Sequence, residues 1–371
     1  MKYYIIAGEA SGDLHGSNLI KQLHVVDTAA EIRCWGGNLM QDAGASLVKH
    51  YSDLAFMGFT EVIKNLPTIL KNIRFCKEDI LQFKPDVLVL IDYPGFNLRI
   101  AEWAKKQGFK VVYYIAPQVW AWKANRVKKM KQCIDKMLVI LPFEQDYFLK
   151  NWQWNVTYVG HPLVEVVNTF LEKNTTIIAI SEKPIIALLP GSRKQEIEKK
   201  LPIMLAVSSF FPDYQFVVAK APGLTNEFYQ PFLSNYQNVT AVENSTYSVL
   251  QQAKAALVTS GTATLETALF KVPQVVCYKS SAISYAIGKR LVKIKFISLV
   301  NLIMNQFVVK ELIQHEMTTQ NLVENLKELL YNHQQHQLIK QQYNALFDLL
   351  STGGNASIAA AREIFTAEKV L

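Results

Sequence analysis

Long apolar runs are missing from this chain. None approaches the ~20 residues that a spanning helix needs, which excludes a transmembrane anchor from the reading. The opening stretch, Met1-Lys2-Tyr3-Tyr4-Ile5-Ile6-Ala7-Gly8, is too short in its apolar part for a signal peptide and reads as a first strand. Cysteine is scarce: Cys34, Cys76, Cys133 and Cys277 stand far apart with no Cys-x-x-Cys pair, so neither a disulfide framework nor a zinc site is indicated. Three of them lie in apolar runs, where a free cysteine is ordinarily a small core residue. No Asp-x-Asp and no His/Asp cluster suggests a metal site, and neither a fixed-period repeat nor a low-complexity segment occurs.

What is present suits a large folded protein. The 371 residues are long for one domain, and two of ordinary size are expected. Half the residues are hydrophobic and 19% are charged, so a sizeable core is available. Lys plus Arg exceeds Asp plus Glu by 39 to 31, a formal charge of +8 that suits an anionic partner: nucleic acid, a phosphorylated substrate or an acidic membrane surface. The expected location is the cytoplasm, with contact to a membrane surface left open.

Short apolar runs alternate with helix-period stretches, the pattern of βα units on a parallel sheet. Strands are expected at Tyr3–Ala7, Ile32–Trp35, Val87–Ile91, Val111–Ile115, Met137–Leu141 and Val156–Val159, with helices such as Leu98–Gln107 and Val127–Cys133 between them. The pattern loosens over Val166–Lys183, then restarts at Ile185–Leu189, Phe216–Ala219, Val239–Val242, Ala256–Val258 and Gln274–Tyr278. That divides the chain into a domain over 1–165 and a second over 184–345, before a break at Gly353-Gly354 and a last helix, Ala356–Phe365. Doubly wound domains bind ligands outside the carboxyl ends of their strands, so the informative residues are those that follow strands.

Two such places read as a nucleotide site. Thr259-Ser260-Gly261-Thr262-Ala263-Thr264-Leu265-Glu266 turns from an apolar run into a helix, and the free N–H groups and dipole of a helix start favour phosphate. Glu266, one turn in, could accept hydrogen bonds from ribose hydroxyls; the alternative is a capped helix with a solvated glutamate. Leu188-Leu189-Pro190-Gly191-Ser192-Arg193 also ends an apolar run, and its guanidinium suits bidentate phosphate contact.

The first half offers other chemistry. Gly8-Glu9-Ala10-Ser11-Gly12-Asp13-Leu14-His15-Gly16 is neither a dinucleotide fingerprint nor a P-loop, nor a hydrolase elbow. Glu9, Ser11 and Asp13 read either as polar groups at an acceptor site or as helix caps. Asp92 closes a fully apolar strand, where partial desolvation would raise its pKa and suit it to be a general base; the alternative is a turn cap. In Ile115–Lys129, Gln118, Trp120 and Trp122 precede Lys123, Arg126, Lys128 and Lys129. This suits a lipid surface, a single-stranded nucleic acid, or a buried tryptophan corner beside a solvated basic face. Tyr285–Phe296, with Lys289, Arg290, Lys293 and Lys295, is similarly ambiguous. His161 in Gly160-His161-Pro162 is either a structural turn or a substrate contact, and Asn301 and Glu311 are candidate ligand contacts beside the second domain's strands.

The ordered set GEASGDLHG (8–16), Gly36-Gly37 with Met40, Met57-Gly58 with Glu61, IDYPGFN (91–97), APQVWAWKANRV (116–127), LPFE (141–144), GHP (160–162), LLPGSR (188–193), SGTATLE (260–266) and VNLI (300–303) resembles the lipid-A-disaccharide synthases over roughly residues 3–315. The resemblance implies an α/β protein of two facing Rossmann-like domains, the GT-B glycosyltransferase type, working by inversion with no metal and no cofactor. It implies transfer of 2,3-diacylglucosamine from its UDP derivative to 2,3-diacylglucosamine 1-phosphate (lipid X), giving UDP and the lipid A disaccharide 1-phosphate. UDP would be held by Arg193, Ser260, Gly261, Thr262, Glu266 and Asn301. Asp92, Glu9 and Ser11 would serve catalysis, and Gly12, Asp13, Gln118, Trp120, Trp122 and His161 the acceptor and its acyl chains. It further implies a peripheral place on the inner face of the cytoplasmic membrane, no nucleic-acid partner, and a first domain completed by residues 350–371. A homodimer exchanging those last helices is compatible with that arrangement. The alternative is a UDP-N-acetylglucosamine 2-epimerase, or another UDP-sugar enzyme of this fold.

Overall fold

The computed structural model of the chain describes residues 1–54, 66–291 and 294–367. Met57, Gly58, Glu61 and Lys293 of the sequence reading, and residues 368–371 of the last segment, lie outside the described residues. Two compact units divide the chain: Met1–Pro162 with Leu350–Leu371, and Leu163–Leu349.

In the first unit β1 (Lys2–Ala7), β2 (Glu31–Gly36), β3 (Ser46–His50), β4 (Val87–Ile91), β5 (Lys110–Tyr114), β6 (Lys136–Val139) and β7 (Thr157–Tyr158) form one parallel sheet in the order β3-β2-β1-β4-β5-β6-β7. The central strands are continuous runs because both sheet faces are covered, and every residue of β4 is buried. The helix Ala356–Ala367 returns to this unit, packing Ala360, Ala361 and Ile364 into the same core as Ile5, Leu19 and Tyr114. Its arrival requires glycine: a Cβ on Gly353 would stand 2.2 Å from the Gly160 nitrogen.

In the second unit β8 (Ile185–Leu189), β9 (Gln215–Ala219), β10 (Val239–Val242), β11 (Ala253–Thr259), β12 (Gln274–Tyr278) and β13 (Lys310–Ile313) are again parallel, in the order β10-β9-β8-β11-β12-β13. In both sheets the strand order reverses direction beside the first strand, at β1/β4 and at β8/β11. Such switch points open crevices at the strands' carboxyl ends.

Several strand ends differ from expectation. β5 stops at Tyr114 because Ile115 adopts φ +65°, and β6 stops at Val139, just ahead of the helix Pro142–Trp152. β3 and β13 were not anticipated; both are short edge strands carrying lysine, which blunts the apolar pattern that marks the central ones.

Candidate functional site

The switch point of the second sheet holds a cavity of about 440 Å³, lined by the two turns that the sequence singled out, Gly191–Arg193 after β8 and Ser260–Ala263 after β11, and by Glu266. Both turns depend on glycine, since Gly191 has φ +123° and Gly261 φ +143°. Gly261 caps the helix Thr262–Leu269 with no side chain bonded to its first N–H groups, leaving them and the positive helix end toward the cavity. Arg193 caps the helix Lys194–Ala206 and is largely exposed, its Nη1 3.2 Å from Glu196 Oε1. Ser260 is held in place by donating its hydroxyl to the Ile297 carbonyl at 2.8 Å. Glu266 accepts a hydrogen bond from the Tyr247 hydroxyl at 2.7 Å, and burial raises its pKa against that bond.

Asn301 does not reach this cavity. It is fully buried, its Oδ1 accepting from Val308 and Val309 N–H at 2.8 and 2.9 Å and its Nδ2 donating to the Val309 carbonyl and Glu311 Oε1. Glu311 also accepts from the Ile297 and Ser298 N–H groups. The pair therefore clamps the loop that carries the Ile297 carbonyl, and the expected ligand contact becomes a support beneath Ser260.

The first sheet's switch point gathers carboxylates. Asp92 follows β4 with φ +44° and Tyr93 with φ +49°, both left-handed and costly for residues with side chains. The strained pair is pinned through the Asp92 carbonyl, which accepts from the Tyr113 hydroxyl at 2.5 Å and from Asn97 Nδ2 at 2.8 Å. Burial pushes the Asp92 carboxyl up to about 6, and the negative charge of Glu9 adds to the rise. Gly8 is required between them, because a Cβ there would lie 2.3 Å from the Tyr93 ring. Ser11 and Gln118 are exposed and Glu9 is half-buried.

Four residues assigned to the acceptor are buried or half-buried. Asp13 is 3% exposed and accepts from the Gly37, Leu39 and Met40 N–H groups, capping the short helix Asn38–Asp42. Gly12 is buried with space for a Cβ only 3.0 Å from that of Ala7, a close helix-to-strand approach. His161 is 5% exposed and kept neutral, its pKa lowered to about 3 by burial and by neighbouring His15. Trp120 is half-buried and donates its indole N–H to Glu144 at 3.0 Å, whereas Trp122 is 43% exposed. Near Trp122 stand the Lys123 ammonium, 4.3 Å from the ring centroid, and the Arg126 guanidinium at 5.7 Å.

Sequence reasoning passed over Lys220 and Tyr247, and took Glu144 only as part of the LPFE motif without a role of its own. Glu144 is buried, accepts from Trp120, Ile140 and Leu141, and is pushed by burial up to about 7. Lys220 lines the cavity at β8/β11 and pairs with Glu243 at 2.7 Å; a lysine directly after the apolar run of β9 was the available signal, the same one that Asp92 gave. Tyr247 lies 19 residues from the glutamate it bonds, and no local pattern marks it. Among the described residues no group of three or more His, Cys, Asp or Glu is placed to hold a metal ion.

Two doubly wound units, each with a switch point beside its first strand, define a fold class. The chain has the GT-B fold. The crystal structure of the glycotransferase of kitacinnamycin matches it with a TM-score of 0.70 at 12% identity, covering 99% of this chain and 98% of that one. CalG4, the calicheamicin glycosyltransferase, matches at 0.65 with 16% identity, covering 100% and 98%. The UDP-GlcNAc 2-epimerase from Neisseria meningitidis, solved bound to UDP-GlcNAc, matches at 0.64 with 15% identity over 99% and 98%, a likeness of fold alone. The family model described as lipid-A-disaccharide synthetase matches residues 3–365, and the chain belongs to that family. It is similar to the lipid-A-disaccharide synthase of Coxiella burnetii (strain Dugway 5J108-111), 37% identical over 96% of each chain. Lipid-A-disaccharide synthase 1 of Legionella pneumophila (strain Lens) is 37% identical over 94% of this chain and 93% of that one.

Proposed function

We propose that the chain transfers 2,3-diacylglucosamine from its UDP derivative to 2,3-diacylglucosamine 1-phosphate. The hydroxyl oxygen of the acceptor attacks the sugar's anomeric carbon from the face opposite the diphosphate. The bond from that carbon to the diphosphate oxygen breaks with inversion, UDP departs, and the hydroxyl proton passes to Asp92. The observation that carries the reading is the cavity at β8/β11, where Arg193 and two turns, one of them an uncapped helix start, line one hollow with Glu266. The first suits a diphosphate whose charge grows as it leaves, and the second the hydroxyls of a ribose. Residues 1–165, completed by the last helix, take the acceptor, with Glu9 and Ser11 beside Asp92, Gln118 near the acceptor and Trp122 against acyl chains or the membrane face. Residues 184–345 take the donor, with Ser260, Gly261 and Thr262 on the diphosphate. Metal-independence and a peripheral place on the inner face of the cytoplasmic membrane belong to the same reading.

The test is a detergent-micelle assay with both diacylated sugars, following UDP and disaccharide together with and without EDTA. Equal yields of the two despite EDTA are the expected result. No disaccharide, together with epimerisation of unacylated UDP-N-acetylglucosamine, would hand the site to the epimerase reading.

A further inference from the structure

Behind the diphosphate side of the cavity lies a lysine that belongs to neither turn. Lys200 is 3% exposed, on the helix Lys194–Ala206, and its Nζ is hydrogen-bonded to the Thr259 hydroxyl at the end of β11. It also stands 3.6 Å from Glu196 Oε2. The other oxygen of Glu196 is 3.2 Å from Arg193 Nη1. Two cations thus share one carboxylate, and that carboxylate lines the cavity. Gly191 backs directly onto the group, since a Cβ there would meet Glu196 Oε2 at 2.8 Å and Lys200 Nζ at 3.4 Å.

Taken alone, the arrangement opposes anion binding. Glu196 ties up the guanidinium that should meet the diphosphate and adds a like charge beside it. A lysine buried without a partner would be costly, and Glu196 is the carboxylate that pairs with it among the described residues. Burial lowers the Lys200 pKa while Glu196 opposes that fall.

We infer that Lys200 is a positioning residue for the nucleotide: it holds Glu196 when Arg193 swings from that carboxylate onto the diphosphate, so that the guanidinium is released without leaving an unpaired negative charge in the cavity. Lys200 does not touch the nucleotide. It acts through Glu196, and by its bond to Thr259 it ties the turn after β8 to the turn after β11. The exchange costs little because one ion pair, Glu196 with Lys200, persists throughout.

The inference rests on the nucleotide reading of this cavity, and the experiment separates the two. Binding of UDP and of uridine is measured calorimetrically for the wild type and for Arg193→Ala, Lys200→Met, Glu196→Gln and the Lys200→Met/Glu196→Gln double variant. Lys200→Met keeps the length of the stem. It should weaken UDP about tenfold or more, the order expected for losing one charge-assisted contact, and leave uridine unchanged. Glu196→Gln should bind UDP as tightly as the wild type or tighter, and the double variant should recover to within about threefold of the wild type. Unchanged UDP affinity in Lys200→Met, an equal loss of UDP and uridine, or a double variant as weak as Lys200→Met would each overturn the inference. If Lys200→Met does not fold, Glu196→Gln decides alone, and weaker UDP binding there refutes it. Unchanged UDP affinity in Arg193→Ala would instead remove the nucleotide reading itself.

Discussion

Asp92, the proposed base, stands where a carboxylate is expensive. It closes a strand of five buried apolar residues, sits in the left-handed region, and is pushed to about 6 by burial and by the charge of Glu9. A base must be ionised to accept a proton. Because the shift is upward, the active form is lost as pH falls through about 6 rather than through the ordinary carboxylate range. kcat/KM should therefore decline about tenfold per pH unit below that limb. Asp92→Asn should cost about 10²–10⁴-fold in turnover and abolish the limb, with the fold intact by circular dichroism. A variant retaining both the rate and the limb would remove Asp92 from the mechanism. Tyr113 and Asn97 show why the aspartate does not relax: both donate to its carbonyl and fix the strained backbone, while the Tyr93 N–H bonds the carboxylate and opposes part of its upward shift.

At the scale of elements, both turns are held by side chains from neighbouring helices and strands, Tyr113 and Asn97 in the first unit and Asn301 and Glu311 in the second. The Asn301–Glu311 clamp orders residues 297–311, and Ser260 takes its position from Ile297 in that loop. Asn301→Ala would remove four buried hydrogen bonds at once, those from the Val308 and Val309 N–H groups and those to the Val309 carbonyl and Glu311 Oε1. The expected loss is about 2–4 kcal/mol of stability, read from the urea midpoint. UDP binding should weaken with it because Ser260 loses its anchor. A stable variant with unaltered UDP affinity would show the loop and the turn to be uncoupled. The contrast with the sequence reading is instructive here. Asn301 and Asp13 were visible as polar residues at the right places, but a polar side chain beside a site looks the same in sequence whether it faces a ligand or the protein's own N–H groups. Only the partners decide. The central strands were legible because burial on both faces makes them largely apolar, and Val87–Ile91, Ile185–Leu189 and Gln274–Tyr278 keep the bounds expected of them, as does the edge strand Val239–Val242. The edge strands Ser46–His50 and Lys310–Ile313 were not, because an edge needs no such uniformity.

At the scale of the whole molecule, the excess of eight positive charges must act together with local features, since net charge alone does not choose a partner. Among the described residues no helix is long and apolar enough to cross a membrane. A peripheral attachment would instead combine an apolar anchor with basic side chains, and Trp122 with Lys123 and Arg126 supplies both on an exposed stretch. The basic residues gain roughly 1 kcal/mol each near an anionic surface, an attraction confined to a Debye length of about 8 Å at physiological salt. The indole adds an apolar term that salt does not screen. Binding to vesicles containing anionic phospholipid should therefore be strong at low salt and fall steeply toward 0.5 M salt, while neutral vesicles bind weakly at both. Trp122→Ala should lower affinity for the anionic vesicles about tenfold, the effect of ~1.4 kcal/mol of lost apolar burial, and should leave the salt dependence in place. Lys123→Gln with Arg126→Gln should do the converse, flattening the salt dependence while the indole still partitions. Sedimentation with vesicles reads both. If Trp122→Ala binds as the wild type does, the exposed indole is not the anchor, and the basic charge acts on the phosphorylated substrate rather than on the membrane.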